Sequence, residues 1–510
     1  MPQPRRAALP IAFCATLLLG TTLAPPATAA PAQDDQSQAV RQELQDWFQG
    51  QLGSALIAGA LTVQLRPEGD GYALTAPLGP DAATTGHLTL QPDGRWQLSS
   101  VKLPSPSSIT TSIPVPTRSD LPAEATASTT EFSVARQETG GILDPTYKTP
   151  SSITQSFEAY QTAGSVGELR QVVQIAHSTS QTTLAPAPKG RLDAASESTA
   201  NGLSMSVQGG TIPSVHATAD RARTTNLLSG VSRERGPRFT RDLAAFIAGC
   251  NAPGMTGCTD PAQLTEGQRS QLRSLLDDLD DLASGEQGDV DLKNVQLQSD
   301  EGFNGVAQRL RMSLSGEAPG GVLNAYLDLS AEGLGFPGLP ASPYAGLIPT
   351  SVHIRPVLAG IGTKDLLLYA RGLLDALDQG QSAPPDPAPL FTHGVVVGLD
   401  AVSFNLGQTL FDGHGKVTLT APRAFTGNGH ITATDLDALI DQARQLPQMQ
   451  TAFVVLTIAK GIGRADGNQT VWDITYQDGK ALVNGVDIMA LAGAAARPHA
   501  PGVPAKPPEQ

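Results

Sequence analysis

The chain has 510 residues, with 34 Lys and Arg against 48 Asp and Glu, a formal net charge of -14, 5% aromatic residues and three cysteines. An acidic chain without a basic cluster excludes nucleic acid as a partner, because phosphate contacts dominate that affinity, and disfavours anionic membrane surfaces. The length allows more than one core. Abundant glycine and proline with few aromatics predict β architecture with many turns rather than a compact helical enzyme.

The first 30 residues read as a secretory leader. Arg5 and Arg6 supply the charge, Ala7 to Gly20 the apolar core, and Ala27-Thr28-Ala29-Ala30 the small residues that a signal peptidase reads. Phe13 stands before Cys14 where a lipoprotein anchor needs a small residue. After the leader no run is apolar enough to span a bilayer, so a periplasmic or secreted protein is expected, with no transmembrane segment. The remaining cysteines, Cys250 and Cys258, bound one short loop, and an oxidising compartment makes a disulfide between them the expectation.

Residues 31–235 are expected to hold an opening helix and a β-rich region. Val40, Leu44, Trp47, Phe48 and Leu52 recur at helical spacing within 36–60. From Leu61 the period changes to two. Tyr72 to Leu74, His87 to Leu90 and Trp96 to Leu98 follow, the last two flanking the hairpin dipeptide Asp93-Gly94. From Pro104 to Arg235 the Ser/Thr/Ala/Pro-rich chain still alternates, as in Leu203-Ser204-Met205-Ser206-Val207. Long exposed strands are predicted there, a mucin-like stalk being the alternative. Residues 236–285 predict a helical hairpin. Phe239, Leu243, Phe246 and Ile247 line its first helix, Leu272, Leu275, Leu276 and Leu279 its second. Thr265 with Gln268 forms a capping box.

Residues 286–495 read as a β/α repeat-like domain. Strands at 309–314, 322–329 and 352–358 lead to a helix at 363–379 stopped by Gly380, and strands at 395–404, 415–420 and 429–432 lead to a helix stopped by Pro447. The two helices open alike, with Asp365-Leu366 and Asp435-Leu436. A third helix, 449–460, is apolar on most faces and is expected to be buried. A hairpin with Tyr476 opposite Ala481 and Ile474 opposite Val483 closes the domain, and 496–510 form a tail without regular structure. The fold class is therefore α+β and dominated by β, with long curved antiparallel sheets, a few packing helices and a helical hairpin in mid-chain.

Motifs that carry chemistry are scarce. Gly333 to Gly338 fits G-x-G-x-x-G, but Pro337, Pro340 and Pro343 forbid the helix that must follow. Ser99 and Lys102 match S-x-x-K, yet in a regular strand they face opposite sides. Asp277, Asp278, Asp280 and Asp281 read as the solvated side of a helix rather than a calcium loop. His393, His414 and His430 have no partner at i+2 or i+4 and read as isolated polar surface. No catalytic residue, metal site or cofactor is expected.

Asp473-Ile474-Thr475-Tyr476-Gln477-Asp478-Gly479 followed by Leu482-Val483-Asn484-Gly485 resembles the closing hairpin of a proteobacterial periplasmic family of unknown function in the AsmA-like group. The resemblance covers the C-terminal half. It implies a periplasmic location, long curved sheets and an association with lipid traffic or outer-membrane assembly, and it supplies no catalytic residue. The expected function is a non-enzymatic envelope protein that offers an apolar sheet face to lipid or an envelope partner, with Leu323, Ala325, Leu327 and Leu329 as candidate lining residues. A structural or adhesive module and an exported hydrolase with an unrecognised site are the alternatives. The leader reading predicts a mature N-terminus at Ala30 or Pro31, which N-terminal sequencing of the exported protein checks.

Overall fold

The computed structural model describes Arg41 and residues 63–488, with breaks at 70, 80–81, 103–106, 113–126, 145–148, 167–168, 210–212, 237, 240–241, 244–245, 247–263, 338–346, 381–382, 423, 447–448 and 478. The leader, the opening helix, the Cys250–Cys258 loop and the C-terminal tail fall outside the described residues. Strands make up 62% of what is described, in a long open antiparallel arrangement with four helices, so the fold is α+β and dominated by β. Contacts divide the chain into a unit of residues up to 340 with 361–390, and a unit of 341–360 with 391 onward.

The first unit begins with a meander. β1 (Gln64–Glu68), β2 (Gly71–Gly79), β3 (Ala82–Leu90) and β4 (Trp96–Lys102) pair in sequence. Gly94 takes φ +83 in the predicted hairpin turn, and Gly71 leaves room for the Leu88 carbonyl, with which any Cβ would collide. Leu65, Leu74, Leu88, Leu98 and Val101 are buried together with Leu143, and the Tyr72 and Trp96 rings stand 5.4 Å apart. β4 does not keep its alternation. Ser100 adopts φ +55, and Leu98 and Val101 both turn inward, three residues apart.

β4 then pairs with β7 (Arg136–Asp144), which pairs with half of β8 (Thr149–Val166). β5 (Ser107–Ser112) and β6 (Ala127–Ser133) form a hairpin, and β6 takes the other half of β8. From β8 onward the strands become long and strictly sequential: β9 (Leu169–Ala187), β10 (Arg191–Gln208), β11 (Val215–Val231), β12 (Gly285–Ser299), β13 (Asn304–Glu317) and β14 (Val322–Glu332). The Ser/Thr-rich middle is thus strand, as the alternation predicts. Lys189 and Gly190, both left-handed, turn β9 into β10.

The helical insertion leaves β11 and rejoins beside it, since Ser229 pairs with Gly285. α1 (Glu266–Leu279) starts with the expected capping box, Thr265 with Gln268. The hairpin partner is helical at 235–236, 238–239 and 242–243, where Arg238 forks onto Asp278 (2.7 and 2.9 Å from Nε) and Asp242 accepts from Ser274 (3.1 Å). Asp277, Asp280 and Asp281 are exposed, as expected for a solvated helix side, Asp277 pairing with Arg371 at 2.6 Å and Asp281 with Arg191. Asp278 corrects that expectation, being only 1% exposed and held by Arg238. α2 (Thr363–Asp378) lies against α1, with Arg273 2.9 Å from Asp375. Gly380, φ +64, ends the α2 turn by donating to the Leu377 carbonyl.

The second unit is a sheet of β15 (Ser351–Gly362), β16 (Val395–Leu406), β17 (Thr409–Ala421), β18 (Ala424–Thr434), β19 (Arg464–Asp466), β20 (Gln469–Gln477), β21 (Lys480–Val483) and β22 (Val486–Asp487). The closing hairpin has the predicted register, Tyr476 opposite Ala481 and Ile474 opposite Val483. α3 (Leu436–Gln445) buries Leu436, Leu439 and Ile440 against Trp472 and Val483, and Ala443 is buried as well. Its Asp435 is left-handed, whereas α2 starts from an extended Gly362, so the two Asp-Leu openings are not equivalent caps.

α4 (Gln450–Ile462) corrects the expectation of a buried helix. Phe453, Leu456, Ala459 and Ile462 pack on the core, but Val454, Val455 and Ile458 are 51–58% exposed. The helix has sheet on one side only, so an all-round apolar sequence leaves one flank outside. No described helix is long and apolar enough to cross a membrane. Leu88 is fully buried in the meander core, and Leu88→Ala is expected to cost about 2–5 kcal/mol, read as a lowered urea midpoint.

Candidate functional site

Along β8 to β14 the strands obey a period of two; it slips once in each strand from β8 to β13 and, for β14, just beyond its end. In β12 the apolar residues are Val290 and Leu292, then Val295 and Leu297. In β13 they are Ala307, then Leu310, Met312 and Leu314. The slips coincide with residues in the left-handed region: Ala159 in β8 (φ +49), Gly202 in β10 (φ +62), Asn294 in β12 (φ +51) and Gly333 just beyond β14 (φ +62).

Register places these four in one transverse row. Ala159 sits between the pairs Glu158–His177 and Tyr160–Ile175. Gly202 sits between Asn201–His177 and Leu203–Ile175 on one side, and between Asn201–Arg221 and Leu203–Ala219 on the other. Asn294 sits between Lys293–Arg309 and Val295–Ala307, and a Cβ on Gly333 would press on Gln308, the residue between Ala307 and Arg309. The facing of the strands therefore reverses along one crease, with a left-handed residue on every second strand of the row. Because the reversal is in register, the apolar residues keep to one side across it. Phe157 and Tyr160, three apart in β8, accordingly have their rings 6.0 Å from each other.

The result is a two-faced single layer. One face carries Phe157, Tyr160, Ile175, Leu203 and Leu228, with Ser178, Ser180, Ser198 and Thr224 among them in β9 to β11, and turns fully apolar at Val290, Leu292, Leu310, Met312 and Leu314. Leu314 pairs with Leu327, and Met312 with Leu329. The candidate residues Leu323, Ala325, Leu327 and Leu329 therefore share this face. None of them is buried; Leu329 is 37% and Leu314 45% exposed. Burial is concentrated at the crease, where Ile175, Ala219 and Ala307 are nearly inaccessible. Small side chains line it, Ala200, Ala219, Ala222, Ala307 and Ala331 among them, between rows of larger ones. No signal within a single strand reveals this trough, since it needs the slips of several strands to align.

The opposite face is ionic. Arg309 donates two bonds to Asp291 (2.8 and 3.0 Å), Arg311 and Ser313 both donate to Asp289 (2.7 and 2.6 Å), and Arg223 donates to Glu197 (2.9 Å). The Arg309 guanidinium holds the Asp291 carboxyl below the usual carboxylate range. Ser99, Ser100 and Lys102 line one polar cavity of about 1340 Å³ with Arg136, Glu138 and Thr199. The left-handed Ser100 thus corrects the expectation that Ser99 and Lys102 point apart.

In the second unit the histidines are not isolated, which is a further correction. The β17–β18 hairpin sets His414 directly opposite His430, with ring centres 5.5 Å apart and planes 30° apart. His430 Nδ1 is 2.7 Å from Asp473 Oδ1, and Arg464 donates to Asp473 Oδ2 at 3.3 Å. The bond to His430 first, and Arg464 second, pull the Asp473 carboxyl below its usual range. His353, Asp400, Asp412, His414 and His430 line a cavity of about 260 Å³. Sequence spacing misses this because it searches along one strand; the tight turn near residue 422 was the available signal. No three His, Cys, Asp or Glu among the described residues are already gathered around one point as a metal site. His393 lies in a turn and does not line this cavity.

No family model, no curated protein and no solved structure matches the chain.

The ionic face makes a pH prediction. The folded Asp291 carboxyl is more acidic than the unfolded one, so its pairing contributes in full above the ordinary carboxylate pKa of about 3.9. It is lost as pH falls through the lower folded value. Loss of sheet circular dichroism on acidification is expected only below about pH 4, and Asp291→Asn is expected to flatten that part of the profile.

Proposed function

We propose that the protein is a non-enzymatic binding protein of the bacterial envelope that holds lipid acyl chains across the crease of its long sheet. The observation that carries this reading is the apolar face itself. Apolar side chains follow the crease from Phe157, Tyr160 and Ile175 to Leu310 and spread over β12 to β14 at Val290, Met312, Leu314, Leu327 and Leu329, where they stay half-buried or exposed. Apolar area left in water costs roughly 25 cal/mol per Å², and a contiguous patch of this kind marks a binding surface.

The dimensions fit the ligand class. Six inter-strand spacings of about 4.8 Å give a trough of roughly 29 Å. A single acyl chain spans about half of a 30 Å hydrocarbon core, so the crease has length for two chains end to end. The alanines on its floor let a methylene chain approach the backbone, and Val173, Met205 and Leu297 on one side and Val290, Met312 and Leu329 on the other supply apolar walls. The ionic face has its charges paired across strands, which suits it to remain in water while the other face is covered. The signal-like leader and the resemblance of the closing hairpin support a periplasmic location for this binding.

Protein purified after export, extracted with organic solvent and analysed by mass spectrometry, is expected to release phospholipid or fatty acid in at least equimolar amount. Leu314→Asp and Leu329→Asp, both at exposed positions that tolerate the change, are each expected to weaken binding about tenfold or more, a loss of some 1.4 kcal/mol or above. Arg311→Ala on the opposite face is expected to leave it unchanged. Recovery without any amphiphile, together with no uptake from added lipid, removes the reading.

A further inference from the structure

The paired histidines of the second unit belong to a different surface and carry a separate chemistry. The apolar face there is made by Val402, Gly413, Ile431 and Trp472, which stack through their cross-strand pairs. His414, His430 and Asp473 occupy the neighbouring row and point to the other side, as do Asp412 and Ser403. The cavity they line therefore opens on the polar face of the sheet.

Three observations converge. The first is the spacing of the rings. Zinc–nitrogen bonds measure about 2.0–2.1 Å, so two imidazoles on one tetrahedral ion place their ring centres about 5 Å apart. His414 and His430 stand at 5.5 Å with no backbone movement. The second is the support of His430. Its Nδ1 lies 2.7 Å from Asp473, an ionised carboxylate that is anchored in turn by Arg464, so Nδ1 carries the proton and Nε2 keeps its lone pair. A ligating histidine is held by this carboxylate–imidazole arrangement, which fixes the ring and raises its basicity. The third is the wall of the cavity, which adds His353, Asp400 and Asp412 to the pair. Asp400 is engaged by Lys416 at 3.0 Å. Asp412 lies two residues from His414 on the same strand face, where an exposed side chain changes rotamer in picoseconds to nanoseconds.

We infer that this cavity binds a divalent transition metal, Zn²⁺ or Cu²⁺, through His414 and His430, with the Asp412 carboxylate swinging in and water completing the sphere. Two imidazoles and one carboxylate favour these borderline ions over Mg²⁺ or Ca²⁺, which prefer all-oxygen sets. Because the Asp412 ligand is not in place beforehand, the site is a weaker one than a preassembled four-ligand centre.

The test is calorimetric titration of the full chain with ZnCl₂ at pH 7.5, and electron paramagnetic resonance of the Cu²⁺-loaded protein. One ion per chain and a spectrum with two equatorial imidazole nitrogens are expected. His414→Ala and His430→Ala are each expected to abolish the calorimetric signal, and Asp473→Asn to weaken it ten- to a hundredfold. His393→Ala is expected to change nothing. Circular dichroism confirms that the surface variants fold; should one fail, the nitrogen count on the unaltered protein decides. No saturable binding, a spectrum with fewer than two nitrogens, or equal binding by the His414→Ala/His430→Ala protein overturns the inference. Lipid content plays no part in these readouts, so the two proposals stand or fall separately.

Discussion

The long sheet depends on one constraint: a strand of period two can keep its apolar side chains on one face only if every reversal of that period is matched by its neighbours. β8, β10 and β12 each contain a residue in the left-handed region, and Gly333 continues the row past β14. Reversals out of register would strand leucines among the arginines of the ionic face, at the desolvation cost of each misplaced group. In register, they cost only local backbone strain, about 1–3 kcal/mol for a non-glycine residue. Gly202 and Gly333 avoid that cost, and Asn294 reduces it as one of the residues that tolerate the left-handed region. Its side chain also donates to Asp220 at 2.8 Å, on the adjoining strand of the same row. The crease is thus held by backbone register and a cross-strand hydrogen bond rather than by a second layer.

Stability elsewhere comes from two small cores rather than one large one. Leu74, Leu88, Leu98 and Leu143 close the N-terminal meander, and Leu436, Leu439, Ile440 and Trp472 close the second unit. The long sheet of the first unit has little buried side chain outside the crease. It is stapled on one face by bidentate and shared ion pairs, of which Arg309–Asp291 and Arg311–Asp289 join β12 to β13. Pairs at this exposure contribute modestly, each of order 0–1 kcal/mol. They matter more for register, because a slip of one residue would set these charges against the apolar side chains of the neighbouring strand. A sheet organised this way leaves its other face available, and that availability is the physical basis of the binding role proposed for it.

The second unit shows how register makes a site. Its hairpin brings together two histidines sixteen positions apart in the chain, and the next strand delivers Asp473 to the outer nitrogen of one of them. The same sheet uses Trp472 inward, where its indole donates to the Ala459 carbonyl at 2.7 Å, and Asn484, whose amide donates to the Ile462 and Val471 carbonyls. These bonds close the end of α4 against the sheet, so the polar row beside them rests on a fixed backbone.

The sequence by itself determined what is local. Alternation, the Asp93-Gly94 turn, the Thr265–Gln268 capping box and the Tyr476–Ala481 register all follow from interactions within a few residues, where period and turn chemistry act directly. It also determined the β-dominated class, since composition and period agree along the chain. Tertiary structure alone decided which reversals align, which histidines meet, that Asp278 is buried under Arg238 and that one flank of α4 stays outside. Each of these depends on pairing between residues far apart in the chain. A period of two says that neighbours face opposite ways; it does not say which strand lies alongside, and only that choice turns scattered left-handed residues into a crease and separate histidines into a pair.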